Sequence, residues 1–274
     1  VVLVGLAFLR NSLITLLLED ELHRRTGAEV TVENLDVEGL RHVRIGSIAL
    51  DAPGWKGDAA QVLRIDDLSA SVRLLPLLSG TLEFESIHAD RVLVRIAERA
   101  NDAAEINVMS LEPPKTDDED EEEDDRDEDR TVRGLGLGTI EIARLEIESG
   151  FETDDAESAN YEVVGTSAFN AILDPPDDDD PRMAFTLAAI EDGRTTALAK
   201  GHLDEKTGGV EFRIDDVDLQ LGVDLALSAS ARAFVSELDL DGVLRTATVG
   251  WRPGEDPTAT LEVENLALTL PPGL

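Results

Sequence analysis

The chain has 274 residues, of which 59 are Asp or Glu and 24 are Lys or Arg, a formal net charge of −35. That charge repels a polyanion over the whole surface, which excludes nucleic acid as a partner, and it disfavours tight docking on anionic lipid headgroups. Cysteine is absent, which excludes disulfides and thiol chemistry, while an apolar content of 42% excludes wholesale disorder.

Residues 1–9 read VVLVGLAFL, an unbroken apolar run too short to cross a bilayer, which takes about 20 residues. Residues 1–10 are therefore read as the end of a transmembrane anchor cut by the boundary of the sequence. A buried helix and the core of a signal peptide are the competing readings; no small-residue cleavage motif follows. Residues 11–27 carry helical spacing, with Leu13, Ile14, Leu17, Leu18 and Leu22 on one face. Ser12 suits the N-cap, and Gly27 the position just past the last turn.

After Gly27 the period changes to two. Residues 29–32, 44–50, 62–74, 81–85 and 91–96 alternate aliphatic with polar, and Pro53-Gly54, Ser79-Gly80 and Ala89-Asp90 give turn signals. A parity slip near Gly46 predicts a bulge. Residues 112–131 hold nine consecutive acids (117–125), a self-repelling block expected to be a disordered loop. It lacks the spacing of a calcium loop. Alternation resumes at 139–142, 145–148, 184–187, 210–214, 217–227, 243–249 and 261–263, interrupted by a second acidic loop at 174–181. Leu266, Leu268 and Leu270 shift parity after Asn265, again as at a bulge. The expected fold is mostly β: an N-terminal helix, then a long twisted antiparallel sheet, as a segment at 28–111 and its continuation at 132–274.

Chemistry finds no footing. His23, His42, His88 and His202 lie far apart and form no metal-ligand spacing. Gly134 to Gly138 imitates a nucleotide loop but opens a strand rather than a helix. Residues 237–242 resemble the start of a calcium loop but carry Glu237 where its first Asp belongs and Thr248 where its closing Glu belongs, and read better as a strand ending in an Asp241-Gly242 turn. The expectation is a protein that is not an enzyme and that uses no cofactor or metal.

With only 7 Phe, 2 Trp and 1 Tyr, the apolar face of these strands is a nearly uniform lining of Val, Leu, Ile and Ala. Composition alone favours an ordinary core over a trough for acyl chains. The N-terminal third adds a resemblance. An apolar segment and amphipathic helix lead into Thr26-Gly27-Ala28-Glu29-Val30-Thr31-Val32. The run 63–72 (LRIDDLSASV) is followed by Leu75-Pro76-Leu77-Leu78-Ser79-Gly80, then Phe84 to Ile87, then Val92-Leu93-Val94 and finally Asn107. In order and spacing this stretch, residues 1 to about 110, resembles the N-terminal region of the AsmA family of Gram-negative envelope proteins, themselves similar to chorein-type bridge lipid-transfer proteins.

The resemblance implies a single-pass inner-membrane anchor and a periplasmic sheet whose apolar groove carries phospholipid between inner and outer membrane. The partners so implied are the membrane, phospholipid acyl chains and an envelope protein left unidentified. The groove candidates are Val30, Val32, Ile48, Leu50, Ile65, Val72, Leu82, Phe84, Val92, Val94, Ile96, Ile140, Ile142, Phe185, Leu187, Phe212, Ile214, Leu219 and Leu221. Alternation alone leaves open which face is concave. The alternative is a β-sandwich binding or scaffold module for outer-membrane assembly, without lipid transport.

Overall fold

The computed structural model describes residues 15–16, 18–39, 41–73, 82–99, 102–111, 135–136, 138–153, 161–176, 180–191, 194–204, 209–218, 240–252 and 258–268. The expected anchor (1–10), the helix start with Ser12, both leucines of the 217–227 run named above, Leu219 and Leu221, and the acidic block at 112–131 lie outside these residues.

One N-terminal helix, α1 (residues 18–26, with 15–16 also helical), precedes the strands. It stops where expected: Gly27 takes φ 68° and its N–H donates to the His23 carbonyl at 2.7 Å, a conformation that costs glycine nothing. The described strands are β1 (Glu29–Glu33), β2 (Asp36–Glu38), β3 (His42–Asp51), β4 (Gln61–Arg73), β5 (Leu82–Arg99), β6 (Asp102–Ile106), β7 (Leu135–Gly136), β8 (Thr139–Glu152), β9 (Tyr161–Asp174), β10 (Met183–Glu191), β11 (Arg194–Asp204), β12 (Gly209–Asp218), β13 (Leu240–Trp251) and β14 (Thr258–Leu268). All 14 belong to one open sheet, in the order β1-β3-β4-β5-β8-β9-β10-β11-β12-β13-β14, with β2 paired to β3 and β6 and β7 to β5. The sheet does not close, and no separate second sheet exists among the described residues.

Four expectations need correction. The sheet is mixed: β5 and β8 run parallel, from Ser86 opposite Thr139 to Arg99 opposite Glu152. A parallel neighbour requires the chain to return along the length of β5 between Arg99 and Thr139, which no tight turn can do. Ala89-Asp90 is not a turn but the middle of β5, an 18-residue strand. Asp241-Gly242 likewise lies within β13, at a register shift where Gly242 takes φ 148°. Finally, β9 and β11 were not anticipated. In β9 the outward-facing Ile172 is exposed, so the apolar alternation Phe169-Ala171-Leu173 is hidden among apolar neighbours.

The Gly46 slip is real and is shared. In β3 both Ile45 and Ile48 are buried, so two successive residues, Gly46 and Ser47, turn to the other face. The same slip occurs at Asp66-Asp67 in β4, where Asp67 takes φ 52°, at Asp90-Arg91 in β5 and at Ala143-Arg144 in β8. The four sites are aligned and form a crease across the sheet.

A short 3-10 turn, η1 (Gly57–Ala59), and another, η2 (Asn107–Ser110), fold over one end of β4 and β5. Trp55, Ala59, Ala60, Val62 and Ala97 form a small core there. Trp55 donates from Nε1 to Ser110 Oγ at 2.9 Å, and the Arg99 guanidinium lies 4.6 Å from its ring centroid. Asn107 locks the two turns together: its Oδ1 accepts from the Ala97 N–H at 2.9 Å, and its Nδ2 donates to the carbonyls of Ala59 and Arg95 at 3.0 and 3.1 Å.

Candidate functional site: one apolar face across the sheet

Register shows how the aliphatic positions assemble. Ile45 faces Leu68, Leu68 faces Ala89, and the row continues through Ile142, Ala171, Leu187, Ala199, Ile214 and Ala247 to Leu261. Ten strands therefore contribute one unbroken apolar row. A parallel row runs from Val43 through Ala70, Ile87, Ile140, Leu173, Phe185, Gly201 and Phe212 to Val249. On the other side of the crease, Val32, Ile48, Ile65, Val92, Leu145, Phe169 and Ala189 form a third. The parity slips keep all of these on one face; without them, each of β3, β4, β5 and β8 would turn half its aliphatics to the opposite side.

The expected candidates from Val30 to Ile214, Leu82 aside, fall on this face, while Leu219 and Leu221 lie outside the described residues. Val30 pairs with Leu50, Val72 with Phe84, Val94 with Ile147, and Ile96 with Ser149. Phe84 reaches it only because the β4–β5 register shifts between Ser71 and Val72. Leu82 lies opposite Leu135 at the start of β5. Sequence reading missed Leu145, Ile147, Phe169 and Leu173. The first two sat in recognised runs on β8, whereas the others belong to unrecognised β9.

Two of the seven phenylalanines have a specific place. A Cβ on Gly201 would lie 2.6 Å from Phe185 Cζ, 2.7 Å from Phe212 Cβ and 2.2 Å from the Glu211 carbonyl oxygen. The glycine lets the two flanking aromatics close over its strand, so the lining stays continuous where a side chain is missing.

The opposite face is ionic. Arg64 Nε lies 2.8 Å from Asp66, Arg91 Nε 2.6 Å from Glu146, Arg95 Nε 2.8 Å from Glu148, and Arg245 Nη2 2.8 Å from Glu264. Glu146 is buried; burial pushes its carboxyl up, but the guanidinium groups of Arg91 and Arg144 outweigh that and hold it below the usual range. On β10–β13 this face has a recess of about 540 Å³ lined in part by Arg182, Lys200, His202 and Arg213. Its arginines are already engaged, Arg182 by Asp180 and Arg213 by Asp215, each at 2.8 Å. No group of three or more His, Cys, Asp or Glu suited to a metal ion occurs among the described residues.

The apolar face is unevenly covered. Over β1, β3 and β4, Leu18 and Leu22 of α1 pack against Val32, Ile45, Ile48 and Leu50. From β5 onward a second cluster, Phe169, Ala189, Ala199, Ile214, Leu244 and Ala247, gathers on the face with Leu145, Leu187 and Phe212 against it. No described helix or turn lies over that part. No described helix is long and apolar enough to cross a membrane. Comparison with family models, with characterised proteins and with solved structures finds no match.

Proposed function

We propose that the chain carries the acyl chains of membrane lipid along its apolar face, as a section of a lipid-conducting bridge in the cell envelope. The observation that supports this most is the row from Ile45 to Leu261: ten neighbouring strands, one aliphatic or Ala side chain from each, with no polar interruption. At about 4.8 Å per strand the row extends about 43 Å. The crease supports concavity on the apolar side. Each creased strand turns two successive residues outward, which lengthens the ionic face relative to the lining and bends the sheet toward the lining.

Transport on such a surface is physical and involves no bond making. Each methylene exposed to water costs about 0.8 kcal/mol, so a chain of about 15 methylenes faces roughly 12 kcal/mol on leaving a bilayer. A row of equivalent aliphatic positions replaces that barrier with small, near-equal steps. The anchoring of the chain at an inner membrane, its periplasmic place and its role between two membranes belong to the same reading and rest on the resemblance of residues 1 to about 110.

A closed scaffold core is the competing reading, and one observation favours it: Phe169 and Ile214 are only 7% and 9% exposed. Lipid occupancy separates the two. The purified chain is expected to co-extract phospholipid detectable by mass spectrometry. Val94→Asp, on the lining, is expected to cut the bound lipid several-fold, whereas Ile172→Asp, on the opposite face, leaves it unchanged. A folded protein devoid of lipid, or equal loss in both variants, would overturn the proposal.

A further inference from the structure

On the ionic face, cations answer carboxylates. Across neighbouring strands Arg91 is directly opposite Asp66, Arg73 opposite Glu83, Arg95 opposite Glu148 and Arg99 opposite Glu152. One row breaks this pattern. Thr186 of β10, Lys200 of β11, Arg213 of β12 and Thr248 of β13 stand directly opposite one another in turn. Among the described registers, Lys200 and Arg213 are the one pair in which a Lys or Arg faces another. The Cβ atoms of directly opposed residues lie about 5 Å apart, where like charges repel. In a chain with 59 acids and 24 Lys or Arg, an acid is the readiest neighbour for either cation, and the row carries none.

This row lies in the recess of about 540 Å³ on β10–β13. Its donors are only partly used. Arg213 turns Nε to the two Asp215 oxygens, at 2.8 and 3.0 Å, and Nη2 to Thr246 Oγ1 at 3.5 Å, which leaves Nη1. Among the described residues, Lys200 Nζ has no hydrogen-bond or ion-pair partner. We infer that the recess binds a phosphate dianion, free or as a small phosphomonoester, held between Lys200 Nζ and Arg213 Nη1. Two facing cations are balanced by two charges on one small ion, which a carboxylate or a chloride does not carry, and the phosphate oxygens accept from both donors at once. Thr186 and Thr248 flank the pair without charge, so no acid competes from within the row. Glu211, which lies opposite His202 and 3.7 Å from Arg182 Nη1, lines the same recess and opposes an anion. The site is on the face away from the lining and is independent of the lipid reading.

The test uses the whole chain at about pH 8, where a phosphate with its second pKa near 6 is a dianion. Inorganic phosphate and glycerol 3-phosphate are titrated by calorimetry and thermal melting against NaCl at matched ionic strength. At about ten times its Kd, either phosphate is expected to raise the melting temperature a few degrees beyond the chloride control. Lys200→Gln and Arg213→Gln, with their folds checked by circular dichroism, are each expected to weaken phosphate about five- to tenfold. Lys56→Gln removes the same charge from an exposed position outside the recess and is expected to change binding less than about twofold. Glu211→Gln is expected to tighten binding about twofold. In chloride alone, Lys200→Gln is expected to melt above Lys56→Gln, because only the first relieves the facing cations. Tighter binding of glycerol 3-phosphate than of phosphate assigns the site to a monoester, and the reverse assigns it to the free ion. A phosphate effect no larger than that of chloride, or equal losses in Lys56→Gln and Lys200→Gln, would overturn the inference.

Discussion

Asn107 is fully buried and its three hydrogen bonds all go to backbone groups, so it welds η1 and η2 to β5 rather than acting in any chemistry. The sequence marked it through its place after the β5 strand, yet nothing in the sequence showed that its amide would span three separate backbone groups. Asn107→Ala leaves those groups without partners in a buried site and is expected to cost about 3 kcal/mol in chemical denaturation, without altering lipid occupancy. A cost below about 1 kcal/mol would deny the welding role. At the other end of this rim, Asp51 is directly opposite Glu29, and burial, then the Glu29 charge, holds its carboxyl above the usual range. A raised carboxyl favours folding below the unfolded value near 3.9 and loses that contribution as pH rises through the folded value. Asp51→Asn is therefore expected to stabilise the protein at pH 7, by about 0.5 kcal/mol after solvent screening, and to make no difference at about pH 3. Thermal melts at the two pH values check this; a stabilisation of equal size at both would point to a cause other than charge.

Strand alternation located β1, β3 and β4 closely and the middle of β12 and of β14, because over these runs polar residues sit opposite the lining at every second position, broken only by the single slip in each of β3 and β4. β5 reads as two strands because its slip falls on Ala89-Asp90, which by itself resembles a turn, and β8 reads as two runs because its slip at Ala143-Arg144 interrupts the alternation. Alignment of the slips in Gly46, Asp67, Asp90 and Ala143 appears only when the four strands lie side by side. Asp67 takes a left-handed φ at the crease, a conformation that short polar side chains tolerate better than branched ones. β9 escaped notice because exposed Val163, Val164 and Ile172 mask its two-residue period, and β11 because Ala and Gly leave little pattern to detect.

At the level of the whole molecule, a net charge of −35 on one chain stores self-repulsion that salt screens, with a Debye length of about 10 Å at 0.1 M. The melting temperature is expected to rise by several degrees between about 0.02 M and 1 M NaCl; a flat or falling profile would show that cross-strand pairs such as Arg95–Glu148 already neutralise the surface. The amino-acid sequence by itself determined the helix stop at Gly27, the two-residue period, the identity of most lining residues and the absence of disulfide chemistry, because each follows from local sterics or composition. Only the tertiary structure decided that β5 and β8 run parallel, that the slips line up into one crease, that the aliphatic positions join into a single row, and that a helix and a carboxylate cover the β1 edge. Those properties depend on which strands become neighbours and in what register, and pairing between residues as far apart in the chain as Ile45 and Leu68, or Ala89 and Ile142, leaves no mark on either segment read alone.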